Sequence, residues 1–352
     1  MLDVAKRAKV SLSTVSYALN GKRSISEKTR QRIAAAMEEL QYQPNSLARG
    51  LASKRSRILA IVFPGIERVL GITDLEYITA AAKTANAQGY HLVFWLGDTD
   101  SVSEIRQLTK QGLVEGVILM EIHTHDERVE LLHELKFPFS MIGRRDDRYE
   151  SKDQSKDQDS QEKYVDTDFK RAMDESLAYL VGLGHRTIGF INQSLAAYQA
   201  RHGPTIRTQH AFEEHIALHQ LRGIARFCDE LPQAGYEAVN AMLEEYPDLT
   251  AIVIRNERAI PGILRAIAER GWKIPEDFSL ILAVCSLRMA ETISPKLTVV
   301  EAPSAELGRL ATEMLIKQLE DKGNDDTKML LPCRLIVGDS TGPCRRNPKG
   351  EL

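Results

Sequence analysis

A chain of 352 residues with 43% hydrophobic content is long enough for more than one domain and apolar enough to bury a sizeable core. The four cysteines, Cys228, Cys285, Cys333 and Cys344, are too widely spaced for a zinc-binding or redox pair, so we expect thiols without a metal or redox role. The first residues lack the apolar segment of a signal peptide, and no apolar run is long enough to cross a bilayer. The sequence therefore predicts a soluble cytoplasmic protein with no membrane partner.

The net charge of −3 conceals a strong asymmetry along the chain. Residues 1–57 carry twelve Lys and Arg against four Asp and Glu, a net charge of +8, which leaves −11 for the rest. This division predicts a small head that binds a polyanion, attached to a larger acidic body. The alternative is a basic, solvated surface without a partner.

The head has the pattern of three short helices. In the first helix, one face is apolar and consists of Val4, Ala5, Ala8 and Val10. Ser11 is a suitable N-cap for a second helix, which the Asn20-Gly21 pair ends. The inner face of that second helix consists of Val15 and Leu19. Ser26 begins a third helix, whose predicted inner face consists of Ile33, Met37 and Leu40.

The second helix presents short polar side chains outward, as the stretch VSLSTVSYALNG shows. Short side chains let a helix enter a DNA major groove, whereas long ones would hold the backbones apart. The alternative is an ordinary amphipathic helix in a small bundle.

The segment NSLARGLASKRS, residues 45–56, has a narrow apolar stripe but is too short to form a stable helix alone. The same segment of a second subunit could supply the packing, and an exposed leucine could then wedge between base steps. The alternative is a plain basic linker.

After residue 57, strands and helices alternate repeatedly. Buried runs such as ILAIVFP and YHLVFWLG flank helical stretches, and a second series begins near residue 164. This order predicts parallel sheets covered by helices, in two lobes with a cleft at the carboxyl ends of their strands. Between the lobes, residues 145–163 form a charged, low-complexity run that we expect to be a mobile surface loop.

The stretches DVAKRAKVSLSTVSYALNG, SISEKTRQRI and YQPNSLARGLASKRS resemble the DNA-binding head and hinge helix of the lac-repressor (LacI/GalR) family of bacterial transcription factors. The resemblance implies base reading by Leu12, Ser13 and Tyr17. It implies phosphate contacts by Ser11, Thr14, Ser16 and Asn20, and minor-groove contacts by Ala48 and Leu51. Lys9 departs from the family's usual glycine in the turn, so it must accept either a strained backbone or a different turn.

The stretches LGHRTIGFIN, IPEDFSLI and ISPKLTVVEAPSAELGRLATEMLIKQL resemble the effector-binding core of the same family, which shares its fold with periplasmic sugar-binding proteins. The implied fold class is an N-terminal all-α helix-turn-helix headpiece (1–44) and a hinge helix or linker (45–57), followed by a two-lobed α/β periplasmic-binding-protein-like domain with parallel sheets (58–345). Lobe 1, near the DNA, is expected at about 58–162 and 295–325, and lobe 2 at about 163–294 and 326–345. No leucine heptad follows Pro343, so a homodimer is expected.

The predicted cleft departs from the pattern of the sugar-binding members. These usually have Gly-Tyr-Asp-Asp where this chain has Leu282 to Cys285, so an acceptor carboxylate is missing. The arginine that commonly stands four residues before the helix phenylalanine is replaced by Thr208, with Arg207 one residue early. The candidate effector-binding residues are Glu121, Arg207, Thr208, Asn256 and Glu257. The alternative for each is a surface or interlobe contact.

The sequence lacks a phosphate-binding glycine loop, metal-ligand spacing and a nucleophile motif, so we expect no enzyme, catalytic residue, metal or cofactor. We predict a sequence-specific regulator, a repressor of carbohydrate-utilisation genes in the bacterial cytoplasm and nucleoid. It binds a pseudo-palindromic double-stranded operator as a homodimer, under allosteric control by a sugar or sugar derivative. The alternative is control by a protein partner or a non-sugar ligand.

Overall fold

A computed structural model describes residues 1–20, 25–42, 55–64, 70–97, 102–145, 162–321 and 328–344. The chain divides into two compact units, Met1–Arg57 (the head) and Ile58–Leu352 (the body). The helices of the head are α1 (Leu2–Arg7), α2 (Leu12–Asn20) and α3 (Glu27–Glu39). No helix in the described ranges is both long and apolar enough to cross a membrane.

The body alternates strands and helices. Its first half contains β1 (Ile58–Pro64), α4 (Ile72–Ala87), β2 (His91–Gly97), α5 (Val102–Lys110), β3 (Gly116–Leu119), α6 (Glu127–Glu134), β4 (Phe139–Ile142), β5 (Tyr164–Thr167), α7 (Phe169–Gly182), β6 (Thr187–Asn192), α8 (Leu195–Gln199) and α9 (Gly203–Leu218). The second half contains β7 (Arg222–Phe227), α10 (Pro232–Glu245), β8 (Ala251–Ile254), α11 (Ile260–Glu269), β9 (Ser279–Cys285), α12 (Leu287–Glu291), β10 (Thr298–Glu301), α13 (Ser304–Leu319), β11 (Lys328–Leu331) and β12 (Arg334–Ile336).

The core of the head consists mostly of the predicted apolar positions. The buried residues are Val4, Ala5, Ala8, Val15, Ile33 and Ala36, with Val10 and Met37 packed against them. As predicted, Ser11 and Ser26 cap α2 and α3, because their hydroxyls accept hydrogen bonds from the backbone N–H groups of Thr14 and Thr29.

The prediction that Leu40 packs inward is wrong. Its side chain is 42% exposed. Helix α3 ends at Glu39 and Leu40 is its C-cap, so this residue lies past the helical residues that pack into the core of the head. The 3.6-residue period that places Ile33 and Met37 therefore stops one position before Leu40.

Two six-stranded sheets form the body. The first has the order β11-β5-β4-β3-β1-β2 with parallel pairings, and the second has the order β12-β10-β9-β8-β6-β7, in which β12 alone pairs antiparallel. The register joins buried residues of the central strands, for example Ile61 with Ile118 and Val253 with Ile281. The predicted parallel α/β architecture with two lobes is confirmed.

The chain passes between the two sheets three times, after β5, after β10 and between β11 and β12. The expected lobe boundaries near 162, 294 and 325 are each several residues too early. Strand β5 still pairs with β4 and β11 in the first sheet, and β10 still pairs with β9 in the second. Strand β11 likewise belongs to the first sheet, although it follows residue 325. Each crossing therefore follows a strand instead of preceding it.

Helices α4 and α13 approach closely where Gly308 meets the backbone of Tyr77. A Cβ on Gly308 would lie 2.3 Å from the carbonyl oxygen of Tyr77, a distance that side chains do not adopt. Tyr77 also packs against the apolar core of the first lobe. The absence of a side chain at position 308 therefore sets the spacing of this helix pair.

We predict that Gly308→Ala lowers the free energy of unfolding by about 1–3 kcal/mol, because the added methyl group forces the two backbones apart. The matched control is Gly182→Ala at the end of α7, where a Cβ would meet no atom within 4 Å. This control should be neutral or stabilising by up to about 1 kcal/mol. Urea unfolding measures both, and equal effects of the two substitutions would contradict the packing argument.

Candidate DNA-reading surface and interlobe cleft

The N-terminal half of α2 presents its expected base-reading residues outward. Leu12 is 46% exposed and Ser13 is exposed, whereas Val15 is fully buried against the rest of the head. Tyr17 lies one turn further along at intermediate exposure. An apolar side chain and a hydroxyl are thus available at the start of the helix, which suits contact with thymine methyl groups and base edges.

A cluster of hydroxyl groups caps the same end of α2. The Ser11 hydroxyl lies 2.7 Å from that of Ser13 and 2.8 Å from that of Thr14, and it accepts a hydrogen bond from the Thr14 backbone N–H. Helix N-termini favour phosphate groups because their backbone N–H groups and dipole point at the anion. The cap therefore combines helix initiation with a surface suited to a phosphate.

The turn before α2 is strained at Lys9, which has a φ of 50°. Of the two options that the sequence leaves open, the chain adopts the strained backbone. The Arg32 guanidinium donates hydrogen bonds to the carbonyl oxygens of Ala8 and Lys9, which fastens this turn to α3. Of the other expected DNA contacts, Thr14 and Ser16 are half-buried. The side chain of Asn20, together with Ala48 and Leu51, lies outside the described residues.

The cleft of the body contains a cavity of about 100 Å³ between the two lobes. Its wall is built from the carboxyl ends of strands β3 to β9 and from the start of α4. Three of the five candidate effector residues line it, namely Glu121, Asn256 and Glu257. Parallel strands direct their carboxyl ends to one edge, which explains why residues distant in sequence meet here.

The other two candidates, Arg207 and Thr208, are not part of the cavity wall. Thr208 is fully buried and donates a hydrogen bond to the Pro204 carbonyl oxygen one turn earlier in α9. Arg207 reaches the first lobe, where its guanidinium lies 3.5 Å from Asp166 and donates to the Arg144 carbonyl oxygen. The geometry thus favours the interlobe alternative for Arg207.

Two of the wall residues have distinct local partners. The Asn256 amide donates to the carbonyl oxygens of Cys228 and Asp229, which fastens the end of β8 to the segment after β7. The Glu257 carboxylate accepts a 2.9 Å hydrogen bond from the Thr73 hydroxyl in the opposite lobe. Burial raises the pKa of Glu257 above its ordinary value, although this hydrogen bond opposes the shift.

Direct hydrogen bonds join the lobes on both flanks of the cavity. On one flank, the Ser286 backbone N–H donates to Thr73 and the Ser286 hydroxyl donates to Glu76, at 3.0 and 2.6 Å. On the other, Gly203 N–H donates to the Ile122 carbonyl oxygen, and His202 Nε2 lies 2.7 Å from Glu121 Oε2. The two lobes therefore contact each other directly on both flanks.

The sequence patterns did not identify several residues of the cavity wall, among them Thr73, Asp74, Asp166 and Arg255. Asp166 and Arg255 lie at or just after the carboxyl end of a predicted buried strand, so that position could have identified them. Asp74 lies in the first turn of α4, and nothing in its immediate sequence distinguishes it from a helix-capping carboxylate. Val284 and Cys285 stand in the wall where the resemblance places acidic residues, and Val284 has a φ of 58°.

We predict that Arg207→Met lowers the free energy of unfolding by about 1–3 kcal/mol, because it leaves the nearly buried Asp166 carboxylate with weaker compensation from Arg144, 3.7 Å away. The control is Lys170→Met, which removes exposed ion pairs with Asp174 and Glu214 and should change stability by less than about 1 kcal/mol. Thermal and urea unfolding test this, and a loss in the control as large as in Arg207→Met would contradict a stabilising role of the Arg207–Asp166 pair.

Comparison with known proteins supports both parts of the architecture. Residues 1–45 match the family described as bacterial regulatory proteins, lacI family, and residues 177–341 match the periplasmic binding protein-like domain. The HTH-type transcriptional regulator pepR1 of Lactobacillus delbrueckii subsp. lactis is 28% identical over 350 residues, covering 96% of each chain.

Solved structures with the same fold align over nearly the whole chain. The lac repressor dimer bound to operator and the anti-inducer ONPF has a TM-score of 0.80 at 22% identity, covering 97% of this chain and 98% of that one. The transcriptional regulator CelR in complex with cellobiose has a TM-score of 0.69 at 22% identity, covering 96% and 98%. The helix-turn-helix head is therefore similar to the lacI family of bacterial regulatory proteins, and the two-lobed body is similar to the periplasmic binding protein-like domain.

Proposed function

We propose that this chain is a transcriptional repressor that binds a pseudo-palindromic DNA operator as a homodimer and is controlled by a small ligand in the interlobe cleft. The observation that carries the DNA-binding part is the outward face of α2, where Leu12 and Ser13 are exposed beside a hydroxyl cap while Val15 anchors the helix. The net charge of +8 on residues 1–57 supplies the electrostatic attraction to phosphates.

In this proposal each head inserts α2 into a major-groove half-site, and Leu12, Ser13 and Tyr17 read the bases. Phosphate contacts come from Ser11, Thr14, Ser16 and Asn20. Paired hinge segments of the two subunits contact the minor groove through Ala48 and Leu51, with Leu51 as the wedge between base steps. The dimer in the operator-bound lac repressor structure supports a two-fold arrangement of this kind.

The effector is proposed to be a sugar or sugar derivative, and the gene targets to be those of carbohydrate utilisation. Glu121, Asn256 and Glu257 in the cavity wall and the cellobiose in the CelR structure support this assignment. Arg207 and Thr208 act indirectly, by holding the lobe surfaces that form the cleft. A ligand that binds one degree of lobe closure better than another shifts operator affinity by linkage.

One observation favours the alternative of a non-sugar ligand or a protein partner. Val284 and Cys285, an aliphatic side chain and a buried thiol, occupy the wall where the resemblance places acceptor carboxylates.

We further propose that the chain binds its ligands and catalyses no reaction, since the family consists of regulators. We also propose that it acts in the cytoplasm, in association with the nucleoid, because the operator is there.

We predict that Leu12→Ala weakens binding to the selected operator by about 1–3 kcal/mol, because an apolar contact with a base is lost. The operator is first obtained by selection from a random duplex pool with the full chain. Fluorescence anisotropy then measures binding to this operator and to a scrambled duplex over a range of salt concentrations. Binding to the scrambled duplex should not change, since it depends on charge.

The matched control is Leu40→Ala, which truncates a leucine of similar exposure at the C-cap of α3. It should bind both duplexes as the unmodified chain does. A loss with Leu12→Ala that is equal on operator and scrambled DNA would refute base reading by this residue, and affinity independent of salt would refute the electrostatic part.

We predict that at least one compound in a panel of sugars and sugar derivatives raises the midpoint of thermal unfolding, because binding to the folded state stabilises it by about 2.7 kcal/mol at 100 times the dissociation constant. The same compound should change operator affinity by roughly 5- to 150-fold. Stabilisation by none of the compounds, while the operator is still bound, would favour control by a protein partner.

A further inference from the structure

The wall of the cleft carries an excess of carboxyl groups. Among the residues that the structure describes, two guanidinium groups line the cavity, those of Arg255 and Arg258. The acidic residues of the wall are Asp74, Glu121, Asp166, Glu230 and Glu257. A wall carboxylate whose charge is not balanced by a nearby basic group repels an anionic ligand, such as a phosphorylated sugar, and attracts a cationic one.

Three of these carboxyl groups have basic partners at close range. Glu121 lies 2.7 Å from His202, and Asp166 lies 3.5 Å from Arg207. Glu230 lies 3.2 Å from Arg258, the wall cation whose charge also acts on Glu257. His202, Arg207 and Arg258 thus each lie close to a carboxylate other than that of Glu257.

Glu257 accepts its hydrogen bonds from neutral donors, the Thr73 hydroxyl and the Ile72 backbone N–H. A second carboxyl group, that of Asp74, approaches it at Gly71. An ideal Cβ on Gly71 would lie 1.9 Å from Glu257 Oε1 and 3.4 Å from Asp74 Oδ2, so these two oxygens are at most 5.3 Å apart. Two carboxyl groups, one from each lobe, therefore converge at the edge of the cavity.

We propose that the effector carries a protonated amino group that binds between Asp74 and Glu257, on a sugar-like frame whose hydroxyl groups face the rest of the wall. The inference rests on the proposed function, a small ligand in this cleft, and names its chemical class. An ammonium group supplies three donors to carboxylate acceptors, and such charge-assisted hydrogen bonds are stronger than neutral ones. Gln193, Thr167 and Asn256 provide polar groups for ligand hydroxyls.

The raised pKa of Glu257 agrees with this geometry. Burial is the main reason that the pKa of Glu257 is raised, and the nearby Glu230 adds to the effect, whereas Thr73 and Arg258 oppose it. A cation placed beside Glu257 would favour its ionised form. A cationic ligand would thus add to the compensation that Arg258 and the neutral donors already give this carboxyl group.

The test compares matched sugars with the full chain by thermal shift and calorimetry. The probes are glucosamine, galactosamine and mannosamine, each beside its neutral parent and its N-acetyl derivative, with glucose 6-phosphate as the anion. We expect at least one amine to bind tenfold or more tightly than both of its neutral partners, and the anion not to bind. Glu257→Gln should reduce binding of that amine tenfold or more and reduce binding of its neutral parent by a smaller factor.

The control is Glu127→Gln, which removes an exposed carboxylate of α6 outside the cavity wall and should leave the amine preference intact. The unfolding midpoint of each variant without ligand reports whether it is folded. Tighter binding of neutral sugars, or an amine preference that survives Glu257→Gln in a folded protein, overturns the amine assignment while a sugar-controlled repressor stands. If none of the probes binds, the amine assignment also fails, whereas DNA reading is judged separately by Leu12→Ala.

Discussion

The carboxyl ends of the parallel strands in both sheets open onto one cavity, and this constraint decides where the body can bind a ligand. Strands buried on both faces, such as β1 and β8, have no room for polar side chains within the sheet. Polar and charged groups therefore appear in the residues just after each strand, as Glu121 follows β3 and Asn256 follows β8. A site made in this way draws on many separate segments and depends on the relative position of the two lobes.

The position of the lobes is set partly by the protein itself. The hydrogen bonds of Ser286 with Thr73 and Glu76 on one flank, and the His202–Glu121 contact on the other, join the lobes directly. A ligand that entered the cavity would contact groups that already have partners, such as Glu121 and Thr73. Its effect on lobe closure then depends on the free energy of the contacts it makes minus that of the contacts it replaces. Only a ligand that binds the open and closed arrangements with different affinities shifts the equilibrium between them.

The sequence predicted the repetitive features well, because local periodicity and capping chemistry determine them. The three helices of the head, their serine caps and the alternation of strands and helices all follow from patterns within a few residues. The prediction that Leu40 packs inward was wrong because the spacing of apolar residues does not specify where a helix ends. The lobe crossings were misplaced because strand pairing, which is non-local, decides which sheet β5, β10 and β11 join.

The candidate site was only partly predictable for the same reason. Residues just after strands, such as Asn256 and Glu257, could be identified because strand ends are visible in sequence. The role of Arg207 depends on where Asp166 and Arg144 lie in the other lobe, which no local pattern specifies. Its neighbour Thr208 faces its own helix, since one residue along an α-helix turns the side chain by about 100°.

Where Asp74 approaches Glu257, an attractive and a repulsive interaction act between the two lobes at the same place. The Thr73–Glu257 hydrogen bond holds α4 against the second lobe, whereas two carboxyl groups from opposite lobes repel each other when both are ionised. Protonation of one group or binding of a cation removes that repulsion, and either change favours the closed arrangement. The charge of a bound ligand can therefore change how tightly the lobes associate, because it alters the repulsion at this contact.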